Sequence, residues 1–208
     1  MEKTVKSLQN NRFDVYTVNT KEDAKNLVMS IIPDGSTVSS GGSMTLNEAG
    51  IIEALRNNPE INYLDRMIPG LSEEEKRTIM EKAMTCDYYL SSSNAITENG
   101  ELYNVDGNSN RVSALLYGPK NVIIVAGKNK IVKNIDEAVK RVKEISAPLN
   151  AKRLSCKTYC EKEGKCIADE MTEGCSSIAR ICSSYVIMAY QRHAGRVKII
   201  LVDENLGY

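Results

Sequence analysis

Ser36-Thr37-Val38-Ser39-Ser40-Gly41-Gly42-Ser43-Met44-Thr45-Leu46-Asn47-Glu48 decides how this chain is read. Residues 36–40 have the length and β-branched content of a short strand, and the glycine pair ends it. Thr45 followed three residues later by Glu48 has the capping-box pattern, which predicts a helix starting near 45 and running to about 56. The unit is strand, glycine turn, helix, the building block of an α/β sheet.

The same alternation extends in both directions. Upstream, Thr20 can cap a helix over 20–31 in which Ala24, Leu27, Val28 and Ile31 recur on one face, and Pro33-Asp34-Gly35 turns the chain into the strand. Downstream, Ile61 to Leu64 reads as a strand, and Ser72 with Glu75 opens a helix whose inner side carries Ile79, Met80 and Ala83. Asp87 to Ser92 is the next strand. The polar stretch from Ser93 to Arg111, broken by Asn99-Gly100 and Asp106-Gly107, predicts a hairpin excursion. A short helix over 112–117 and an apolar strand over 121–125 follow. Asn134, with Glu137 at the capping-box position, starts a helix carrying Ile135, Ala138, Val139 and Val142. Strands over 185–189 and 197–202 close the pattern. Val122 to Val125 and Val197 to Val202 are almost continuously apolar, as central strands covered on both faces must be. The expectation is one α/β domain over 1–208, a mostly parallel sheet flanked by helices, with a loop-rich cysteine segment at 154–183.

Composition narrows the function classes. The 208 residues are 42% hydrophobic and 26% charged, as in an ordinary globular protein able to bury a core. Lys plus Arg and Asp plus Glu each total 27, so no net field points to nucleic acid or an acidic membrane. The first residues, Met1 to Lys6, run into charged sequence without the apolar stretch of a secretory signal, and no apolar run approaches membrane-spanning length. A cytoplasmic protein is expected. In that reducing compartment clustered cysteines point to metal or redox chemistry rather than to structural disulfides.

Five of the six cysteines fall between Cys156 and Cys182: Cys156, Cys160, Cys166, Cys175 and Cys182. Their neighbours are polar and turn-forming, so these thiols are not simply small apolar fillers of one buried face. Four of the five are expected to ligate. Cys156 and Cys160 approximate a zinc knuckle, whereas a four-iron cluster also takes four thiolates, and the spacings leave zinc and an iron-sulfur cluster both open. Disulfides formed only on oxidation, or inert buried thiols, are the competing readings. Cys86, alone before a strand, reads as core.

Two further constellations bear on binding. Gly41-Gly42-Ser43 lies where an open α/β sheet receives ligands, although a tight turn without a ligand explains it equally well. The tract from Asn94 to Arg111 gathers amides and carboxylates. Solvated turns account for much of it, but Asn110 and Arg111 fall at a helix start, where Arg111 could pair with a carboxylate or phosphate. His193 reads as a hairpin-tip residue between the last two strands. Ser91, Ser92 and Ser93 lack the glycine-flanked elbow of a hydrolase nucleophile.

Several of these runs together resemble a known family. Ser93 to Thr97, Gly100-Glu101-Leu102, Asp106-Gly107-Asn108, Asn110-Arg111-Val112, Tyr117 to Lys120, Gly127 to Lys130 and Ala147 to Arg153, with the turn at Gly41-Gly42-Ser43, are similar to the LUD-domain family of lactate-utilization proteins. The resemblance spans about residues 5–208 and is closest to a stand-alone subgroup with a carboxyl-terminal cysteine-rich segment. The chain departs from that pattern between Cys166 and Cys175, where Ile167 to Gly174 intervene in place of a closely spaced pair. The resemblance implies a fold similar to the sugar-phosphate isomerase and coenzyme A transferase superfamily, and a role in lactate oxidation beside iron-sulfur oxidoreductase subunits.

On that footing the expected ligand is a small anionic metabolite. Gly41, Gly42 and Ser43 would offer backbone donors, Asn94, Asn108 and Asn110 would orient the ligand, and Arg111 would neutralise its charge. Glu98, Glu101 or Asp106 would handle a proton. The competing functions are a non-catalytic assembly or electron-transfer module built on the cysteines, and a transferase or isomerase acting on a phosphorylated or thioester substrate. A homo-oligomer is compatible with either.

Overall fold

The computed structural model describes residues 1–208 as two sheets with helices packed around them. The strands are β1 (Asp14–Val18), β2 (Thr37–Ser40), β3 (Asn62–Leu64), β4 (Tyr88–Ser91), β5 (Ala95–Thr97), β6 (Leu102–Asp106), β7 (Asn121–Gly127), β8 (Ile131–Val132), β9 (Ser184–Met188) and β10 (Val197–Val202). The helices are α1 (Glu2–Asn10), α2 (Lys21–Ile31), α3 (Met44–Glu48), α4 (Ile51–Asn57), α5 (Glu73–Ala83), α6 (Asn110–Leu116), α7 (Ile135–Arg141), α8 (Ala147–Leu154) and α9 (Tyr159–Glu163).

Six strands make a wholly parallel sheet in the order β1-β10-β7-β4-β2-β3. The other four form a smaller mixed sheet, β8-β5-β6-β9. The expected α/β architecture with a mostly parallel sheet flanked by helices is therefore present, and the apolar strands β7 and β10 lie side by side within it. Period-two alternation divides β7 between two cores. Val122, Ile124 and Ala126 face the cluster that includes Leu8 of α1, Ala83 of α5 and Leu115 of α6. Ile123 and Val125 face Val28 of α2, Leu46 of α3 and Leu55 of α4. Each fully buried Ile or Val stabilises the fold by roughly 1.5–3 kcal/mol. A third core joins the small sheet to α7 through Ala95, Tyr103, Val105, Ala138 and Val139.

Local signals fix several helix starts as expected. The Thr20 side chain accepts from the Asp23 amide and Asp23 returns the bond, and Ser72 and Glu75 do the same at α5. Asn134 accepts from the Glu137 amide at α7.

Four features differ from the sequence reading. The helix predicted over 45–56 is two helices, interrupted at Gly50 in the left-handed region, and its cap is Ser43, which accepts from Leu46 N. Thr45 lies inside α3 rather than at its start, and its hydroxyl donates to Leu206 O at 3.3 Å, while the Glu48 carboxylate accepts from the Gly207 amide at 2.7 Å. The strands β9 and β10 belong to different sheets, so His193 lies on a crossover rather than at a hairpin tip. Finally, α1 and β1 add a helix and an edge strand not foreseen, and α7 continues through a π-helical turn, Val142–Ser146, into α8.

Candidate functional site

In the parallel sheet the chain leaves β2 toward β3 at one edge and leaves β4 toward β7 in the opposite direction, and β2 and β4 are neighbours. That reversal opens a crevice beyond the carboxyl ends of the strands, the place where open α/β sheets receive ligands. A cleft of about 450 Å³ lies there. It is lined by Gly42 and Ser43 after β2, Arg66 after β3, Ser92, Ser93 and Asn94 after β4, and Lys130 after β7. The far wall brings Asp106, Asn108, Asn110 and Arg111 from the start of α6, Asn150 and Arg153 from α8, and Tyr208 from the chain end.

The cations of this cleft are of two kinds. Arg111 is committed to the protein itself. Its Nη1 donates to Ser92 O at 3.2 Å and Asn104 Oδ1 at 2.7 Å, and its Nη2 donates to Asn94 Oδ1 at 3.0 Å and Val105 O at 2.9 Å. Asp106 lies 3.5 Å from its Nε and also accepts from the Arg111 and Val112 amides. The one acidic side chain of the lining is thus spent on capping α6 and holding Arg111.

Arg66, Lys130, Arg153 and Arg180 have no carboxylate within ion-pair distance. Arg66 reaches the glycine turn closely enough that a Cβ on Gly42 would stand 3.2 Å from its Nη2, with Arg153 Nη2 at 3.9 Å. The Arg66 Nε is buried without a hydrogen-bond partner, as is the Tyr208 hydroxyl. Arg153 donates only to Asn150 Oδ1. Lys130 is 3% exposed and donates to Ser92 Oγ at 3.0 Å. Burial, with the Arg141 and Arg111 guanidiniums adding to it and Glu48 opposing, pushes its ammonium down to about 7.

A second, narrower cavity of about 20 Å³ is lined by Cys160, Cys166, Cys175 and Cys182 with Tyr103, Val142, Met171 and Tyr185. The sulfurs do not close up to the ligating geometry of a single ion. Lys143 and Arg180 pin the surrounding loop: Lys143 Nζ donates to Glu173 O at 2.7 Å and approaches Cys166 Sγ at 3.9 Å. Arg180 donates to Cys182 O, Thr172 O and the Tyr185 hydroxyl. Burial, together with the neighbouring Cys160 and Cys166 and against Arg180 and Lys143, raises the Cys182 thiol to about 11. Arg180 and Ile181 line both cavities and form the wall between them.

A family model for the LUD domain matches residues 1–202. The chain belongs to the LUD-domain family. Among solved structures, a DUF162 family protein from Deinococcus radiodurans superposes with a TM-score of 0.55 at 13% identity, covering 97% of this chain and 94% of that one. Ribose 5-phosphate isomerase A from Methanocaldococcus jannaschii has a TM-score of 0.37 at 15% identity over 65% of this chain and 64% of its own. The β subunit of eIF2B from Chaetomium thermophilum has a TM-score of 0.37 at 14% identity, over 55% and 43%. No curated protein matches the chain.

In this LUD-domain chain Gly42, Ser43, Asn94, Asp106, Asn108, Asn110 and Arg111 come together in one cleft, and Gly41 lies just behind it. A Cβ on Gly41 would meet Arg111 Cδ at 3.0 Å, so that glycine makes room for the arginine. Glu98 and Glu101 are elsewhere. They lie at the tip of the β5–β6 hairpin, whose open end is at the cleft: Glu98 pairs with Lys3 at 2.8 Å, and Glu101 accepts from Thr97 Oγ1 at 2.6 Å. Cys156 does not line the cavity that the other four cysteines of the segment line; burial and the nearby Glu161 and Cys160 raise its thiol, and its amide closes the end of α8 on Ala151 O. Cys86 is core, as expected. Sequence reading did not single out Arg66, Lys130, Arg153 or Tyr208. Two of them carried a signal, because Lys130 and Arg153 end runs that bear the family resemblance.

Proposed function

We propose that the cleft binds a small anionic organic acid, or a derivative of one, and that this LUD protein contributes to the oxidation of that acid. The observation that carries the reading is charge balance. Arg66 and Arg153 converge on a cavity large enough for a metabolite without a carboxylate to answer them, and Asp106 is already engaged. Unpaired cations in a partly desolvated site cost stability, and an anion relieves that cost. Arg66 and Arg153 are the groups that would grip a carboxylate at the glycine turn, with Asn108, Asn110 and Tyr208 orienting the remainder. Arg111, Asn94 and Gly41 hold the wall in shape. With Glu98 and Glu101 at the distant hairpin tip and Asp106 committed to Arg111 and α6, Lys130 is left as the proton-handling group of the lining.

Calorimetric titration of lactate and related acids tests the binding half of the reading. Wild-type protein should bind, and Arg66→Ala and Arg153→Ala should each weaken affinity about tenfold, equivalent to ~1.4 kcal/mol. Unchanged affinity in both variants would remove the two guanidiniums from the site.

The cysteine segment supports a metal-bearing role as part of the same function. The donor chemistry is that of a thiophilic metal site, whose sulfurs would have to draw together to ligate: Cys160, Cys166, Cys175 and Cys182 ring one cavity, and Lys143 and Arg180 stand beside it to offset thiolate charge. These four would hold an iron-sulfur cluster or zinc, with Cys156 outside the set. A bound cluster supplies one-electron transfer, whereas zinc supplies structure. A metal held there would lie beside the proposed acid site, because Arg180 and Ile181 line both cavities. Anaerobically prepared protein should carry stoichiometric iron with sulfide, or zinc. Cys166→Ser should lose most of it and Cys156→Ser should keep it; equal retention in both would exclude this ligand set.

The same cysteine cavity favours one alternative, an electron-transfer or assembly module acting with iron-sulfur oxidoreductase subunits. Metal-loaded protein that bound no acid would select it.

A further inference from the structure

Lys130 is the least expected residue of the cleft. It follows β7 on a single 3-10 turn, Lys128–Lys130, so the buried strand delivers its side chain to the cleft floor while Lys128 turns outward to Asp203. Its amine has one hydrogen-bond partner, Ser92 Oγ, and no carboxylate. The charged groups facing it are Arg141 of α7, Arg111 of α6 and Glu48 of α3. Arg141 is itself fixed, donating to Asn129 O, Asn94 O and Ser146 Oγ, so it cannot swing away. Two immobile guanidiniums and near-complete burial disfavour an ammonium here. An amine that keeps its lone pair is a nucleophile.

We propose that Lys130 is the covalent residue of this cleft, forming an imine with the carbonyl carbon of a small oxo acid whose carboxylate is held by Arg66 and Arg153. The Nζ lone pair attacks the carbonyl carbon, and a C–N bond forms. The two amine hydrogens and the carbonyl oxygen then depart as one water, leaving C=N with no change in oxidation state. Ser92 Oγ, 3.0 Å from Nζ, is placed to pass a proton from nitrogen to the departing oxygen. The inference rests on the anion-binding reading of the cleft and adds the substrate class, an aldehyde or ketone bearing a carboxylate.

The test traps the imine. Wild-type protein is incubated with glyoxylate and cyanoborohydride, and the modified lysines are located by peptide mass spectrometry. Labelling at Lys130 should exceed that at any other lysine at least tenfold, and its initial rate should reach half its maximum near pH 7. Surface lysines should still be gaining reactivity above pH 9. Label spread evenly over lysines, or absent from Lys130, overturns the proposal. Calorimetry with oxalate, an anion without an aldehyde or ketone carbon, separates the two readings. Oxalate binding without label at Lys130 defeats the imine and spares the anion site. Label at Lys130 without oxalate binding does the reverse, and loss of both defeats both.

Discussion

At the scale of single residues, Lys130 opposes folding. The unfolded chain holds this proton up to about pH 10.4, whereas the folded protein releases it near 7, because burial and two guanidiniums disfavour the ammonium. Between those values the unfolded state binds more protons, so this group makes stability rise with pH across about 7 to 10. Below 7 its cost is constant and at its largest. Lys130→Met should therefore raise stability at pH 7 by roughly 2–4 kcal/mol in urea melts, and should flatten the rise between pH 7 and 10. A variant less stable than wild type at pH 7 would mean that the ammonium is satisfied in the fold. Such residues are hard to find in sequence. Arg111 was legible because it ends a polar tract at a helix start. Its engagement was not, since the acceptors at Asn94, Asn104 and Val105 reach it only after the β5–β6 hairpin folds back. Arg66 and Arg153 lie far apart in sequence and meet only at Gly42.

At the scale of elements, what could be read was local. The boxes at Thr20 and Ser72 and the cap at Asn134 formed because all partners lie within one turn. The box expected at Thr45 and Glu48 failed because Ser43, two residues earlier, caps α3 and leaves Thr45 within it, where its hydroxyl donates to Leu206 O, 161 residues away. The β5–β6 hairpin was readable from its turn residues, but its docking on α1 was not. Gly100 there has φ +82°, and a Cβ would stand 2.7 Å from the backbone at Ser7 and Leu8. Asn11 locks the same tip by donating to Asn99 O and Gly100 O. Gly100→Ala combines left-handed strain with a backbone clash, and is expected to cost about 2–4 kcal/mol in a denaturant melt. A cost below about 0.5 kcal/mol would show that α1 is not held by the hairpin.

At the scale of the whole molecule, alternating strands and amphipathic helices made the α/β class readable, and the apolar runs of β7 and β10 identified interior strands of the parallel sheet. Two sheets in place of one were not foreseen, because the sequence between β9 and β10 resembles any short connection and does not record that it crosses from one sheet to the other. The cysteines stood out in the sequence, and in the fold four of them line one cavity that Cys156 does not. The arrangement that joins these parts is a cationic cleft at the strand reversal, sharing the Arg180–Ile181 wall with a thiol-lined cavity. A crystal structure of the protein grown with a small 2-hydroxy or 2-oxo acid tests that account most directly. The acid's carboxylate is predicted to lie against Gly42 within hydrogen-bond reach of Arg66 and Arg153, with its second carbon toward Lys130. A cleft holding only water, with the acid bound elsewhere or not at all, would contradict it.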